Sequence, residues 1–202
     1  MEYEAKFQLP HLAEIRKRLL AQGGRLIQER MLERNLRFDD LAGSLTTSHQ
    51  VLRLRQDRDV TMTYKRGVER FESRIEIELR VDDFEQARRL LEALGYIVMH
   101  EYEKFRETFA LNNSKIMLDE LPFGCYVEIE ADSLESVQEQ AAELGFNWDQ
   151  RVQTTYLELF NRLKQNLHFD FDDATFHNFE GLDEATRERI PESLNTFQSR
   201  LE

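Results

Sequence analysis

Residues 74–81 read Arg-Ile-Glu-Ile-Glu-Leu-Arg-Val, a strict alternation of charged and aliphatic side chains. Successive side chains on a strand point to opposite faces, so this octet carries Arg74, Glu76, Glu78 and Arg80 on one face and a greasy row on the other. An amphipathic stretch comes next. Near Asp83, the residues Phe84, Ala87, Leu90, Leu91 and Leu94 recur at helical spacing, and Gly95 ends the run. The same succession occurs twice more. Glu2-Tyr3-Glu4 leads through Pro10 into a stripe of Leu12, Ile15 and Leu19, stopped by Gly23-Gly24. Glu128-Ile129-Glu130 leads to Ser133, a good N-cap, and a stripe of Leu134, Val137, Ala141 and Leu144 before Gly145. The spacings differ, so this is one architecture reused within a domain rather than a solenoid repeat.

Segments 30–39, 51–55, 60–65, 100–111, 115–121 and 124–131 show the same period of two. With 74–81 and the N-terminal strand they make about eight strands. Polar positions line up on one face of each. Glu2, Glu4 and Lys6 oppose Tyr3, Ala5 and Phe7. Arg53 and Arg55 oppose Leu52 and Leu54. Thr61, Thr63 and Lys65 oppose Met62 and Tyr64. Lys104 and Arg106 flank Phe105, Asp119 opposes Leu118, and Glu128 and Glu130 oppose Val127 and Ile129. The three helices need an apolar surface to cover, and the greasy face supplies it. The charged face is left uncovered, and about eight strands with that bias curl until closure removes their edges. The expected fold is therefore α+β: a closed eight-stranded antiparallel β-barrel with a charged lumen and helices packed outside. A further helix is expected over 153–167, with Leu157, Phe160, Leu163 and Leu167 as its apolar face. The barrel domain is read as 1–167. Residues 168–202 are read as an acidic extension with interspersed phenylalanines, broken in its later part by Pro191, serving as a cap or an oligomer contact.

Composition narrows the function. The chain has 202 residues, 41% hydrophobic and 33% charged, with a formal net charge of -12. A core is permitted, while charge exceeds the usual quarter of a globular chain. Acidity argues against sequence-independent nucleic-acid binding, which depends on counterion release by basic surfaces. Cys125, the one cysteine, excludes an intramolecular disulfide and fits a reducing cytoplasm. Neither a signal peptide nor a run of about 18 apolar residues is seen, so no membrane span is expected. The five histidines share no metal-ligand spacing and read as surface or packing residues. Cys125 and Trp148 read as packing residues.

A lumen built this way holds two sets of ions. Lys6, Arg53, Arg55, Lys65, Lys104 and Arg106 suit phosphate oxygens, because guanidinium forks match them in pairs and lysine adds point charge. Glu2, Glu4, Glu76, Glu78, Asp119, Glu128 and Glu130 crowd carboxylates that repel unless protonated or bridged by a cation, and hard ions such as Mg²⁺ or Mn²⁺ prefer oxygen ligands of this kind. Together they make an apparatus for phosphoryl-transfer chemistry.

The ordered motifs resemble a known family. Glu2-Tyr3-Glu4-Ala5-Lys6 is similar to the N-terminal ExExK signature of the CYTH superfamily, the triphosphate tunnel metalloenzymes. Leu52-Arg53-Leu54-Arg55, Thr63-Tyr64-Lys65, Glu76-Ile77-Glu78, Lys104-Phe105-Arg106, Leu118-Asp119 and Glu128-Ile129-Glu130 come after it in that family's order. The resemblance covers 1 to about 162 and is closest to the class IV adenylyl cyclase-like branch. It implies a metal held by Glu2, Glu4, Glu128 and Glu130, with Asp119 as a further ligand. It also implies phosphates held by Lys6, Arg53, Arg55, Lys65, Lys104 and Arg106. Glu76 and Glu78 would bind a second metal, orient the basic residues, or form plain ion pairs. Lys6 or Lys65 would activate a nucleophile if neighbouring cations depress its pKa. One segment departs from the pattern: where many relatives carry Asp-x-Tyr-aromatic-Asp, this chain has Asn35-Leu36-Arg37-Phe38-Asp39, without the tyrosine that some triphosphatases use near the attacking water.

Three functions remain open at this point. They are Mg²⁺- or Mn²⁺-dependent hydrolysis of tripolyphosphate, thiamine triphosphate or a nucleotide; cyclisation of ATP to cyclic AMP and pyrophosphate; and non-catalytic polyphosphate or nucleotide binding. The expected partner is a triphosphate-bearing small molecule, with neither nucleic acid nor membrane, and a homodimer is left open.

Overall fold

The computed structural model describes residues 3–68 and 72–198, with side chains over 3–67 and 75–194. Glu2 and the side chain of Arg74 lie outside the described residues. The elements in order are β1 (Tyr3–Leu9), α1 (Ala13–Ala21), β2 (Arg25–Asp39), α2 (Ser44–Thr47), β3 (Gln50–Gln56), β4 (Val60–Val68), β5 (Glu72–Val81) and α3 (Phe84–Ala93). They continue with β6 (Ile97–Leu111), β7 (Ser114–Leu121), β8 (Gly124–Ala131), α4 (Leu134–Glu143), a single 3₁₀ turn at Trp148–Gln150, α5 (Tyr156–Leu167), α6 (Phe176–Glu180) and α7 (Glu184–Gln198).

The eight strands form one sheet in the order β1-β8-β7-β6-β2-β3-β4-β5. The registered pairs are antiparallel, as expected from the short turns. The order has two ends, β1 and β5, and among the described residues no hydrogen bonds join them into a closed ring. The eight-stranded α+β sheet of the sequence reading is thus present, without hydrogen-bonded closure.

By packing, the chain divides into two compact units. The first comprises residues to Met31, Lys104–Phe171 and residues from Phe176; the second comprises Leu32–Glu103 and Asp172–Thr175. In the first, the stripes of α1 (Ile15, Leu19) and α4 (Val137, Ala141, Leu144) cover Ala5, Phe7, Phe109, Ile116, Leu118, Val127 and Ile129 from the greasy faces of β1, β6, β7 and β8. In the second, Phe84 and Leu91 of α3 cover Leu36, Phe38, Leu52 and Leu54. The Ser133 cap forms as read, its side chain accepting from Ser136 N, and Asp83, near which the second helix is expected to start, also caps, accepting from Gln86 N.

Two features depart from expectation. Not every helix lies on the greasy face. Helix α5, closed by a Thr155–Glu158 capping box, buries Tyr156, Leu159, Phe160 and Leu163. It meets the charged side of the first unit's strands, where Tyr126 shares a face with Glu128 and Glu130 and stacks edge-on against Tyr156 at 5.0 Å. That end of the face is aromatic: Phe123, Phe160, Phe169, Phe171 and Phe179 pack ring to ring. The apolar stripe of α5 therefore finds its partner there. Secondly, Pro191 lies inside α7 rather than breaking the tail. Ile190 and Leu194, both buried, hold the helix on either side of it, which outweighs the local cost of a proline in a helix interior.

Candidate functional site

The first unit gathers its charges around Asp119. This carboxylate is fully buried. Its Oδ2 accepts from Lys104 Nζ at 3.0 Å and from the Tyr156 hydroxyl at 2.9 Å. Arg106 grips both oxygens, Nε to Oδ1 and Nη2 to Oδ2, each at 2.6 Å. The same Nη2 of Arg106 also reaches Glu128 Oε2. Glu128 also pairs with Lys6 at 3.3 Å, which stands directly opposite it in the β1–β8 ladder. Lys6 lies 4.0 Å and Lys104 5.2 Å from the centre of the Tyr156 ring, so one phenol covers both ammonium groups. The ladder also sets Glu4 directly across from Glu130, with Lys115 on the other side of Glu130 at 2.8 Å. Among the described residues no three histidine, cysteine or acidic side chains converge as a ready metal cluster. The donors that do face one another, Glu4 and Glu130, are carboxylates, which fit a hard divalent ion.

Electrostatics derive from this enclosure. Burial alone would raise the Glu128 carboxyl. The charges of Arg106, Lys104 and Lys6, with the Arg106 hydrogen bond, overcome it and hold the group well below its ordinary value of 4.5. Burial, then the charges of Asp119 and Glu128, push the Tyr156 phenol well above 10.0. A carboxyl depressed on folding contributes stability that is fully present above the unfolded pKa and is lost as pH falls through the folded one. Glu128→Gln is therefore expected to cost about 3 kcal/mol at pH 7, with the gap to wild type narrowing below pH 4.5. Urea denaturation of both proteins between pH 7 and pH 3 checks this; a gap that widens on acidification contradicts the assignment.

The second unit holds the other cations. Arg53 and Arg55 on β3 share a face with Thr61, Thr63 and Lys65 on β4 and with Glu76 and Glu78 on β5. Lys65 pairs with Glu76 at 2.9 Å, and Arg55 with Glu78 at 3.5 Å. Thr63 Oγ1 donates to Glu78 at 3.0 Å and Arg55 Nε to Thr61 Oγ1 at 3.3 Å. Glu76 and Glu78 are here ion-pair partners of Lys65 and Arg55.

The structure thus brings together Lys6, Lys104, Arg106, Asp119 and Glu128, sets Glu4 against Glu130, and groups Arg53, Arg55, Lys65, Glu76 and Glu78. Two residues of these faces were not assigned roles from sequence. Tyr156 is 37 residues from Asp119, its hydrogen-bond acceptor, and no local pattern announces it. Arg37 stands directly opposite Arg53; the period of two from Glu33 to Asp39 already placed it on the polar face.

A model of the CYTH domain matches residues 1–174, and the chain belongs to that family. A protein of Methanocaldococcus jannaschii, provisionally named an adenylate cyclase, is 23% identical over 172 residues, covering 79% of this chain and 98% of its own length. A solved structure from Vibrio parahaemolyticus, with a similar provisional name, matches at a TM-score of 0.71 and 20% identity over 79% of this chain and 97% of that one. A Hippeastrum protein described as having a dominant triphosphatase activity matches at a TM-score of 0.57 and 19% identity, covering 80% of this chain and 95% of its own. These structural likenesses establish the fold. Among the described residues no helix is long and apolar enough to cross a membrane.

Proposed function

We propose that this chain is a Mg²⁺- or Mn²⁺-dependent enzyme that hydrolyses a triphosphate, either inorganic tripolyphosphate or an organic one such as thiamine triphosphate or a nucleotide. The observation that carries the reading is a pair of facing carboxylates, Glu4 across from Glu130, on a sheet whose β3 and β4 set Arg53, Arg55 and Lys65 on one face. Facing carboxylates suit a divalent cation, and a row of cations on one face suits a polyphosphate. Closure of the sheet into the tunnel expected from sequence is part of the proposal, since it would present both charge sets to one substrate.

In this reading Glu2, Glu4, Glu128 and Glu130 hold the metal, with Asp119 contributing from a carboxylate that already orients Lys104 and Arg106. The metal would supply charge neutralisation at the phosphate oxygens. Lys6, Arg53, Arg55, Lys65, Lys104 and Arg106 bind the phosphates and stabilise the charge that builds on the leaving oxygen. A water oxygen bonds to phosphorus as the bridging P–O bond breaks; tripolyphosphate yields orthophosphate and pyrophosphate, and the water's proton leaves to a base. Lys6 or Lys65, each paired with a carboxylate, is proposed to assist as a cation that holds the substrate in place for that attack.

The provisional name of the archaeal relative favours a second reading, cyclisation of ATP by attack of the ribose 3′-hydroxyl on the α-phosphorus. The description of the Hippeastrum protein favours hydrolysis. Incubation with Mn²⁺ or Mg²⁺ and tripolyphosphate, thiamine triphosphate or ATP, with every product identified, separates them. Orthophosphate is expected; cyclic AMP with pyrophosphate from ATP would transfer the assignment to the cyclase.

A further inference from the structure

Strand β2 brings a further cation to the polar face of the second unit. Arg37 lies on the polar face with Arg53 directly across the β2–β3 ladder, a like-charge opposition that costs stability. Arg37 Nε is buried without a hydrogen-bond partner among the described residues. Burial in the first place, and the charge of Arg53, hold its guanidinium below the ordinary 12.5, against the pull of Tyr102 and Asp39. It still stays charged at any working pH. The carboxylate hydrogen bonds seen on this face go elsewhere. Asp39 accepts from the backbone of Asp40, Leu45 and Thr46 and from the Thr46 hydroxyl. Glu33 takes the Asn35 amide, Glu78 takes Arg55 and Thr63, and Glu76 takes Lys65.

We propose that Arg37 is an anion-binding residue, and that Arg37 and Arg53 together seat one phosphoryl group of the substrate. The inference rests on reading this face as a triphosphate site. Guanidinium forks match phosphate oxygens, and these two stand directly opposite on adjacent strands. A phosphate bound between them would offset that repulsion.

The test is isothermal titration of tripolyphosphate in EDTA, where metal and turnover play no part, with thermal melting of each unliganded protein. Arg37→Gln is expected to weaken binding about 10- to 100-fold, the worth of a charge-assisted hydrogen bond. Arg37→Lys, which keeps charge but loses the fork, should fall between. Unliganded Arg37→Gln should melt at or above the wild-type temperature, because the Arg–Arg opposition is gone. Wild-type binding with an unchanged affinity in Arg37→Gln would overturn this inference and leave the triphosphate reading standing. Weaker binding with a matching drop in unliganded melting temperature would overturn it too, assigning Arg37 a structural role; if Arg37→Gln fails to fold, Arg37→Lys decides by the same two readouts. Failure of wild type to bind tripolyphosphate would remove both the reading and the inference.

Discussion

Replacing Asp119 by Ala is expected to destabilise the protein by about 3–5 kcal/mol, the cost of stripping one partner from a buried ion pair. Asp119 is fully buried, and its two oxygens carry Lys104, both arms of Arg106 and the Tyr156 hydroxyl. Without the carboxylate, Lys104, itself buried, and Arg106 lose the countercharge that compensates their removal from water. A domain held by roughly 5–15 kcal/mol has little margin for such a loss. Asp119→Asn keeps the shape and one acceptor and should fall between. Tyr156→Phe removes one hydrogen bond and should cost about 1–2 kcal/mol. Chemical denaturation measures all three; a stability of Asp119→Ala within about 1 kcal/mol of wild type would show that the cluster is not held by this carboxylate.

The second large effect falls on turnover. Glu130→Gln is expected to lower metal-supported activity by at least about 10²-fold, as loss of a principal electrostatic contact in an active site does. Glu130 stands across from Glu4, and amide for carboxylate removes half of the opposing negative charge. Binding of tripolyphosphate in EDTA should persist or tighten, because the basic residues are untouched and a repelling charge has gone. Arg53→Ala should do the reverse, weakening binding through loss of a phosphate contact. The pair of variants separates the acidic from the basic half of the site. Wild-type turnover by Glu130→Gln at limiting metal would remove the metal assignment.

Much of this was written in the alternation of the strands. The octet ending at Val81 fixes which side chains share a face, and the hairpin registers then bring Arg53 opposite Thr63 and Lys65 opposite Glu76. The helix cap at Ser133 and the helix start at Asp83 were legible because capping is a local hydrogen bond. What local pattern could not show is which sheet face a late helix would take. Helix α5 has an ordinary apolar stripe, and only the aromatic end of the charged face, with Phe123 and Tyr126, makes that side its partner. Tyr156 enters the Asp119 cluster through that tertiary choice. The phenylalanines of the tail are explained the same way, since Phe169, Phe171 and Phe179 complete the apolar cluster around Phe160. Arg37 was visible in the sequence as a break in a family pattern; its meaning needed the register that sets it against Arg53.

The most direct measurement is turnover of tripolyphosphate by the full chain with Mn²⁺ or Mg²⁺, repeated after EDTA and again after the metal is restored, with orthophosphate and pyrophosphate quantified. The account predicts both products with metal, none with EDTA, and recovery on adding the metal back. No product from tripolyphosphate, thiamine triphosphate or ATP under any of these metals, or undiminished product in EDTA, would contradict it.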